Sequence, residues 1–191
     1  GRELIERALE IQKKYSDAES AEIGALMSNL ASIHGDVGDN DKARDFHLQA
    51  LRILEKTLGP NHPLTAHTMD NLGLCYDRIG DYKKGQELHT RALPVIEKAY
   101  GHDHSSTAHI IRNCARSYLN NGDTRKAREL YEQVFAIRVR VYGPDHPFNF
   151  THVLILGCSV DDKSVIISDL RGSNSLSMRH VWTVKPARLY S

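Results

Sequence analysis

The sequence predicts an all-α fold in which antiparallel helix pairs stack into a solenoid, followed by an irregular C-terminal segment. A Gly-x-x-His block recurs three times at a spacing of 42 residues, beginning at Gly59, Gly101 and Gly143. Each unit contains two helical segments in the same register, with a Gly-Asp pair between them. A fixed period of this size is typical of stacked repeats, whose units bury their apolar faces only against neighbouring units.

The first helix of each unit is predicted from apolar residues at helical spacing. In the middle unit, Met69, Leu72, Gly73 and Tyr76 fall on one face of a helix. The matching positions of the other units hold Met27, Leu30, Ala31 and His34, and Ile111, Cys114, Ala115 and Tyr118. The small residue in each set permits a close approach of the partner helix.

A Gly-Asp pair ends the first helix and begins the second, at Gly38, Gly80 and Gly122. Glycine readily adopts the left-handed conformation that terminates a helix, and the aspartate that follows is a suitable N-cap. The second helix carries small and large residues in alternation: Ala43, His47, Ala50, Leu51 and Ile53; Gly85, His89, Ala92, Leu93 and Val95; Ala127, Tyr131, Val134, Phe135 and Ile137. Such alternation suits antiparallel helices in close contact.

The order of these residues resembles the tetratricopeptide-repeat family. The unit is longer than the family's standard repeat of about 34 residues, and its ending, Leu-Gly-Pro-Asn-His-Pro at residues 58–63, is similar to the kinesin-light-chain type. The resemblance covers residues 24–147 as three repeats. Residues 1–23 are expected to hold the second helix of a truncated preceding repeat. The resemblance implies a right-handed superhelix whose concave side is lined by the first helices.

The repeat pattern ends after Pro147. Residues 148–191 contain short β-branched runs, such as Val165-Ile166-Ile167, between turn-forming residues. Three interpretations of this non-repeat tail stay open: a cap that shields the end of the array, a small β element, and an end that does not belong to the native protein. We expect low order beyond residue 158.

The composition does not favour partners that act through long-range charge. The chain has 191 residues, with 25 Lys and Arg against 24 Asp and Glu, so neither nucleic acid nor a membrane surface is expected to attract it. Three dispersed cysteines argue against a disulfide framework and favour a reducing, cytoplasmic setting. No apolar run is long enough to span a bilayer, and no signal peptide is recognised. Because the sequence starts with glycine in mid-repeat, we expect it to be part of a longer polypeptide.

Candidate peptide-binding residues lie on the first helices. Asn29, Asn71 and Asn113 recur 42 residues apart, and an amide side chain can both donate to and accept from a peptide backbone. The resemblance implies this role, because members of the family hold peptide main chain with asparagines at the matching position. The alternative is that these asparagines cap local backbone or fix the packing between units.

Positions that differ between units are candidates for ligand specificity. Ser28, Asp70 and Arg112 each precede one of the asparagines, and the further residues expected on this side are Ser32, Leu74, Asp77, Arg78, Arg116 and Asn120. Arg112 and Arg116 are one helical turn apart and are predicted to pair with an acidic ligand. A solvated helix face would vary between units in the same way.

No catalytic or cofactor site is predicted. Neither a Ser-His-Asp nor a Cys-His arrangement stands out, and there is no phosphate-binding glycine loop, so we do not expect an enzyme. The histidines at His62, His104 and His146 recur with the loop and are predicted to be structural. The His102-x-His104 pair alone is a weak metal signal, so no metal ion is expected.

Three functions are compatible with these observations. The leading hypothesis is a protein-interaction scaffold that binds an extended peptide or helix in its concave groove and, by analogy with kinesin light chains, acts as a cargo adaptor. The second is a regulatory sensor region of a larger nucleotide-hydrolysing signalling protein. The third is a structural spacer that binds no peptide. The expected partner of the leading hypothesis is a protein or peptide, not nucleic acid or membrane.

Overall fold

A computed structural model of the chain describes Arg7 and residues 20–143. Residues 20–143 contain α1 (Ala21–Asp36), α2 (Asn40–Thr57), α3 (Pro63–Ile79), α4 (Tyr82–Tyr100), α5 (Ser105–Asn120) and α6 (Thr124–Tyr142). These helices form three repeats of two helices each, as the 42-residue period predicts. Of residues 1–23, where a helix of a preceding repeat is expected, the structure describes Arg7 and residues 20–23, and the tail at 148–191 lies outside the described residues.

The first repeat begins earlier than residue 24. Ser20 has extended backbone dihedrals and its side chain accepts from the backbone N–H of Ile23, so it caps α1 at Ala21. Serine is among the best N-cap residues because its oxygen satisfies a backbone donor that has no partner within the helix. The 42-residue period places Ser20 at the same position as His62 and His104, which are the N-caps of α3 and α5. The first helix of each repeat therefore begins at the same point of the repeat.

The turn inside each repeat has the geometry that the Gly-Asp pair predicts. Gly80 adopts the left-handed conformation with φ of 93°. The carboxylate of Asp81 then accepts from the backbone N–H of Lys84 at 3.3 Å. Equivalent bonds join Asp39 to the N–H of Lys42 and Asp123 to the N–H of Lys126. The predicted aspartate N-cap is therefore confirmed in all three repeats.

The Gly-x-x-His loop is held by hydrogen bonds that recur with the sequence. His62 Nδ1 accepts from the backbone N–H of Leu64 at 3.1 Å, and Thr65 Oγ1 donates to the carbonyl of Gly59 at 2.9 Å. The next loop repeats both contacts, with His104, Ser106, Thr107 and Gly101 in the same roles. The structural role predicted for these two histidines is confirmed, and His146 lies outside the described residues.

The helices pack so that the first helices form the inner layer of the array. The two helices of each repeat contact each other, and the second helix of one repeat contacts the first helix of the next. In addition the backbones of α1 and α3, and of α3 and α5, approach each other, whereas the second helices α2 and α4 meet through long side chains, as in the ion pair of Arg91 with Glu55 at 3.4 Å. Since the first helices approach more closely, the array curves with α1, α3 and α5 on its concave side.

The apolar core is distributed along the array. The central cluster joins side chains of all three repeats: Leu51, Ala66, Met69, Leu72, Leu88, Ala92, Ile96 and Ile110. Such a core is expected of stacked repeats, since no single helix pair can bury its apolar face alone. Within residues 20–143, no helix combines the length and the apolar composition needed to cross a membrane.

Ala92 tests the register of helix packing, because it lies in this cluster with 0% of its surface exposed. Ala92→Leu is expected to lower the free energy of unfolding by about 1–3 kcal/mol, since a close-packed core has no space for three further carbon atoms. Chemical denaturation monitored by circular dichroism measures the change. A neutral effect would show that the cluster has space beside Ala92 and that the register is wrong.

Candidate peptide-binding groove

The residues predicted to bind a peptide differ in their accessibility on the concave side. Asn29, Arg78, Arg116 and Asn120 are exposed, and Ser32, Asn71, Leu74 and Arg112 are partly exposed. Asp70 and Asn113 are buried, with 2% and 1% of their surface exposed. The first eight are therefore open to a ligand along α1, α3 and α5, and we call this surface the groove.

Asn113 does not lie on the groove surface. Its Nδ2 donates to both carboxylate oxygens of Asp70, at 3.0 and 3.2 Å, across the junction between the second and third repeats. Asn29 is exposed and Asn71 is partly exposed at the corresponding positions. The three asparagines are thus not equivalent. Asn113 fixes the packing between two repeats, as the alternative interpretation of these asparagines predicts.

Asp70 was expected to face the groove, but its side chain is buried. Its carboxylate accepts from Nδ1 of His89 at 2.6 Å inside the second repeat, where His89 is 0% exposed. Although burial raises the pKa of Asp70, the hydrogen bond and charge of His89, together with the Asn113 amide, hold that pKa below its usual value. Asp70 is therefore an internal anion that joins α3 to α4 and α5.

Asp77 is a second buried carboxylate beside the same histidine. The hydroxyl of Ser117 donates to both of its oxygens at 2.8 Å, and Arg116 Nη2 lies 3.5 Å from its Oδ2. His89 Nε2 lies 3.5 Å from the same oxygen. Asp77 was expected along the groove, but the structure makes it a contact between α3, α4 and α5.

Two histidines 42 residues apart have opposite electrostatic surroundings. His47 faces the hydroxyl of Ser28 at 3.3 Å, and burial together with the charge of Arg78 lowers the pKa of His47 to about 4. For His89, burial also lowers the pKa, but the Asp70 hydrogen bond and the charges of Asp70 and Asp77 outweigh it and raise the pKa above its usual value. His47 is therefore neutral near pH 7, whereas His89 has the surroundings of an imidazolium ion.

The third repeat brings several cations to the groove. Burial lowers the pKa of Arg112, and the charge of Arg116 lowers it further. Burial and the charge of Arg112 likewise lower the pKa of Arg138 on α6. Within residues 20–143, Arg112 forms its one hydrogen bond with His109 Nδ1, at 3.1 Å, and none with a carboxylate. The guanidinium groups thus lie close enough to disfavour one another's charge, which an anionic ligand would relieve.

The histidines considered for metal binding have other contacts. His102 Nδ1 lies 2.7 Å from a carboxylate oxygen of Glu97, and His104 caps α5. In the described part of the chain, no group of three or more His, Cys, Asp and Glu side chains is arranged to hold a metal ion.

An array of helix pairs with polar and charged side chains along its inner helices is a helical-repeat scaffold for protein–protein interaction. The tetratricopeptide-repeat family model matches residues 1–56, 22–94 and 78–138. The chain belongs to the tetratricopeptide-repeat family, and its repeats are of the long, kinesin-light-chain-like type. Repeats of this family generally bind protein or peptide partners. No match to a curated protein is found.

Solved structures share this architecture. Nearly identical TPR-like repeats from Podosopora anserina, attributed to a kinesin light chain, are 28% identical to this chain, with a TM-score of 0.70 over 82% of this chain and 74% of that one. BtubC (BKLC) from P. vanneervenii is 20% identical, with a TM-score of 0.73 over 81% and 62% of the two chains. The apo form of RapI is 20% identical, with a TM-score of 0.70 over 84% and 43%. The last two similarities show the fold alone.

The buried His47 predicts a specific pH dependence of stability. Its folded-state pKa of about 4 lies below the value of about 6.5 in an unfolded chain, so between these values the unfolded chain takes up a proton that the folded chain excludes. His47 therefore lowers stability as the pH falls from about 6.5 towards 4, by at most ~1.4 kcal/mol per pH unit.

His47→Gln is expected to reduce the stability lost between pH 7 and pH 5 by about 1–2 kcal/mol. The measurement is urea denaturation of both proteins at the two pH values. Identical pH dependence in wild type and variant would show that His47 takes up protons equally in the folded and unfolded states.

Proposed function

We propose that the groove binds an extended peptide segment of a partner protein and that the chain acts as an adaptor between proteins in the cytoplasm. The accessible side chains of α1, α3 and α5 support this proposal, since they combine amides, hydroxyls and guanidinium groups on one continuous surface. The free, buried Cys75 and Cys114 are compatible with a reducing compartment.

The observation that carries the proposal is the accessible amide of Asn71 on the same inner layer as three accessible arginines. Asn71 is partly exposed on α3, whose last turn carries the exposed Arg78, and Arg112 and Arg116 lie on α5, the next inner helix. An amide at this point offers a donor and an acceptor to a peptide main chain, while the arginines offer charge-assisted bonds to carboxylates. The favoured ligand is therefore an extended peptide with acidic side chains opposite the third repeat.

A role as cargo adaptor is the more specific part of the proposal. It rests on the similarity to TPR-like repeats attributed to a kinesin light chain and on the long form of the repeat. The groove argument does not depend on it, because peptide binding follows from the accessible side chains, whereas the identity of the cargo does not.

The experiment that tests the proposal begins with peptide selection. The immobilised chain is used to select binders from a displayed library of short random peptides, and fluorescence anisotropy then gives the dissociation constant of the most enriched one. Enrichment of acidic peptides supports the proposal. No enrichment would favour the structural spacer or a sensor region that packs against its own polypeptide.

Asn71→Ala is expected to weaken binding of the selected peptide by about 2- to 13-fold, which is the loss of one hydrogen bond of about 0.5–1.5 kcal/mol. Helicity and the melting temperature should stay unchanged, because alanine is favourable within a helix. Asn61→Ala removes the same group from an exposed loop outside the groove and is the matched control. Equal affinities of wild type and Asn71→Ala would exclude contact with the peptide, and loss of the fold would make Asn71 structural.

Arg112→Ala is expected to weaken binding of an acidic peptide by roughly 10- to 150-fold, since a hydrogen bond to a charged group contributes about 1.5–3 kcal/mol. Arg125→Ala removes the same charge from α6, where the side chain is 92% exposed, and should leave affinity nearly unchanged. Isothermal titration calorimetry at constant ionic strength compares them. Equal losses in both variants would mean that only net charge matters.

A further inference from the structure

The junction between the second and third repeats contains a buried group of ionisable side chains. Asp70 and Asp77 of α3 are 2% and 6% exposed, and His89 of α4 lies between them with 0% exposed. The imidazole nitrogens are 2.6 and 3.5 Å from the two carboxylates. Asn113 and Ser117 of α5 complete the group by donating to Asp70 and Asp77. We call Asp70, Asp77 and His89 the ion cluster.

The preceding junction has a histidine at the same position but neither carboxylate. Ser28 stands in place of Asp70, Gly35 in place of Asp77 and Cys75 in place of Ser117. Removing an ion from water into the protein interior costs roughly several kcal/mol of folding free energy unless the ion is paired and hydrogen-bonded. At the second junction the buried carboxylates are paired with His89 and accept hydrogen bonds from Asn113 and Ser117. At the first junction His47 is neutral, so no buried ion needs a partner.

Two glycines of the middle repeat make room for the ion cluster. A Cβ atom on Gly73 would lie 2.6 Å from Cε1 of His89, and one on Gly85 would overlap Oδ1 of Asp77. The first repeat has Ala31 and Ala43 at these positions. The glycines and the carboxylates therefore depart from the neighbouring repeat together, which marks the cluster as one unit.

We propose that the ion cluster, with His89 as an imidazolium between two carboxylates, locks the third repeat onto the second and positions Arg116 in the groove. Arg116 Nη2 lies 3.5 Å from Asp77, and His109 Nε2 lies 3.8 Å from Asp70, so two exposed side chains of α5 lie against buried anions. The binding role of Arg116 rests on the proposed function, whereas the attachment of the third repeat to the second through the ion cluster does not.

The charge state of His89 depends on groups from both helices that pack against α4 at this point. From α3 these are Asp70 and Asp77, which favour the imidazolium. From α5 they are Arg116 beside Asp77 and His109 beside Asp70. Asp70 lies at hydrogen-bond distance from Nδ1, 2.6 Å, and Asp77 lies 3.5 Å from Nε2, at ion-pair distance but without a hydrogen bond. Both negative charges favour a protonated ring.

The first experiment is an NMR titration of the imidazole nitrogens in the ¹⁵N-labelled full chain without ligand. His89→Gln and His47→Gln spectra assign the two signals. We expect His89 to keep both ring protons to a higher pH than an ordinary imidazole does, while His47 stays neutral until the pH approaches 4. A neutral His89 at pH 6 would overturn the ion cluster.

Asp70→Ser copies the first repeat into the second and gives a further test. The proton affinity of His89 should fall roughly tenfold or more, which corresponds to at least about one pKa unit, and His47 serves as the unchanged internal control. An unchanged titration of His89 in the folded variant would contradict the cluster. If the variant does not fold, the NMR titrations of His89 and His47 in the wild-type chain show whether the ion cluster exists.

The second experiment asks whether Asp77 positions Arg116, using affinity for the selected acidic peptide. Asp77→Asn removes a negative charge near the groove, which by charge alone would tighten binding. Positioning predicts the opposite, a loss of about threefold or more from a weakened charge-assisted contact. Asp36→Asn makes the same charge change at an exposed site of α1 and should leave affinity unchanged or slightly higher.

Ser117→Ala keeps every charge and removes only the hydroxyl that holds Asp77. It is expected to weaken peptide binding about twofold or more, since it loses one hydrogen bond, and it replaces Asp77→Asn if that variant does not fold. Unchanged affinity in a folded variant would overturn the positioning of Arg116. If no peptide is selected at all, the groove proposal fails, and the titration of His89 still decides the lock.

Discussion

The close approach of the two helices in each repeat is the constraint on which the array depends. In the middle repeat a Cβ atom on Gly85 would lie 3.0 Å from the carbonyl oxygen of Gly73, so the helix backbones nearly touch. The other repeats have Ala31 with Ala43, and Ala115 with Ala127, all nearly fully buried. Because each pair is this compact, the first helices of successive repeats contact one another and form a continuous inner surface.

The same inner positions serve two purposes along the array. Side chains such as Asn71 and Arg112 are accessible on the inner surface, whereas Asp70 and Asn113 turn inward and join repeats. A buried polar junction permits fewer arrangements than an apolar one, since each donor needs its acceptor. The buried contacts of Asp70 and Asp77 therefore limit how the third repeat can pack on the second, and Arg112 and Arg116 lie on α5 beside these contacts.

The sequence predicted the local features of this fold because they depend on neighbouring residues. The helix pairs, the Asp81 N-cap and the His62 loop follow from residues within one repeat. The inward placement of Asp70 and Asn113 could not be predicted, since it depends on contacts between residues 43 apart. One signal was present: Asp70, Asp77 and Gly85 all depart from the residues of the first repeat, and departures that occur together indicate a shared contact.

The central claim is that ligands bind on the inner surface formed by α1, α3 and α5. The most direct measurement is NMR mapping of the selected peptide on the assigned chain, with backbone and side-chain amide signals followed during titration. The account predicts shifts concentrated around Asn29, Asn71 and Arg112, with α2, α4 and α6 changing little on their outer faces. Shifts confined to the second helices or to the Gly-x-x-His loops would contradict it and would place the binding surface on the convex side.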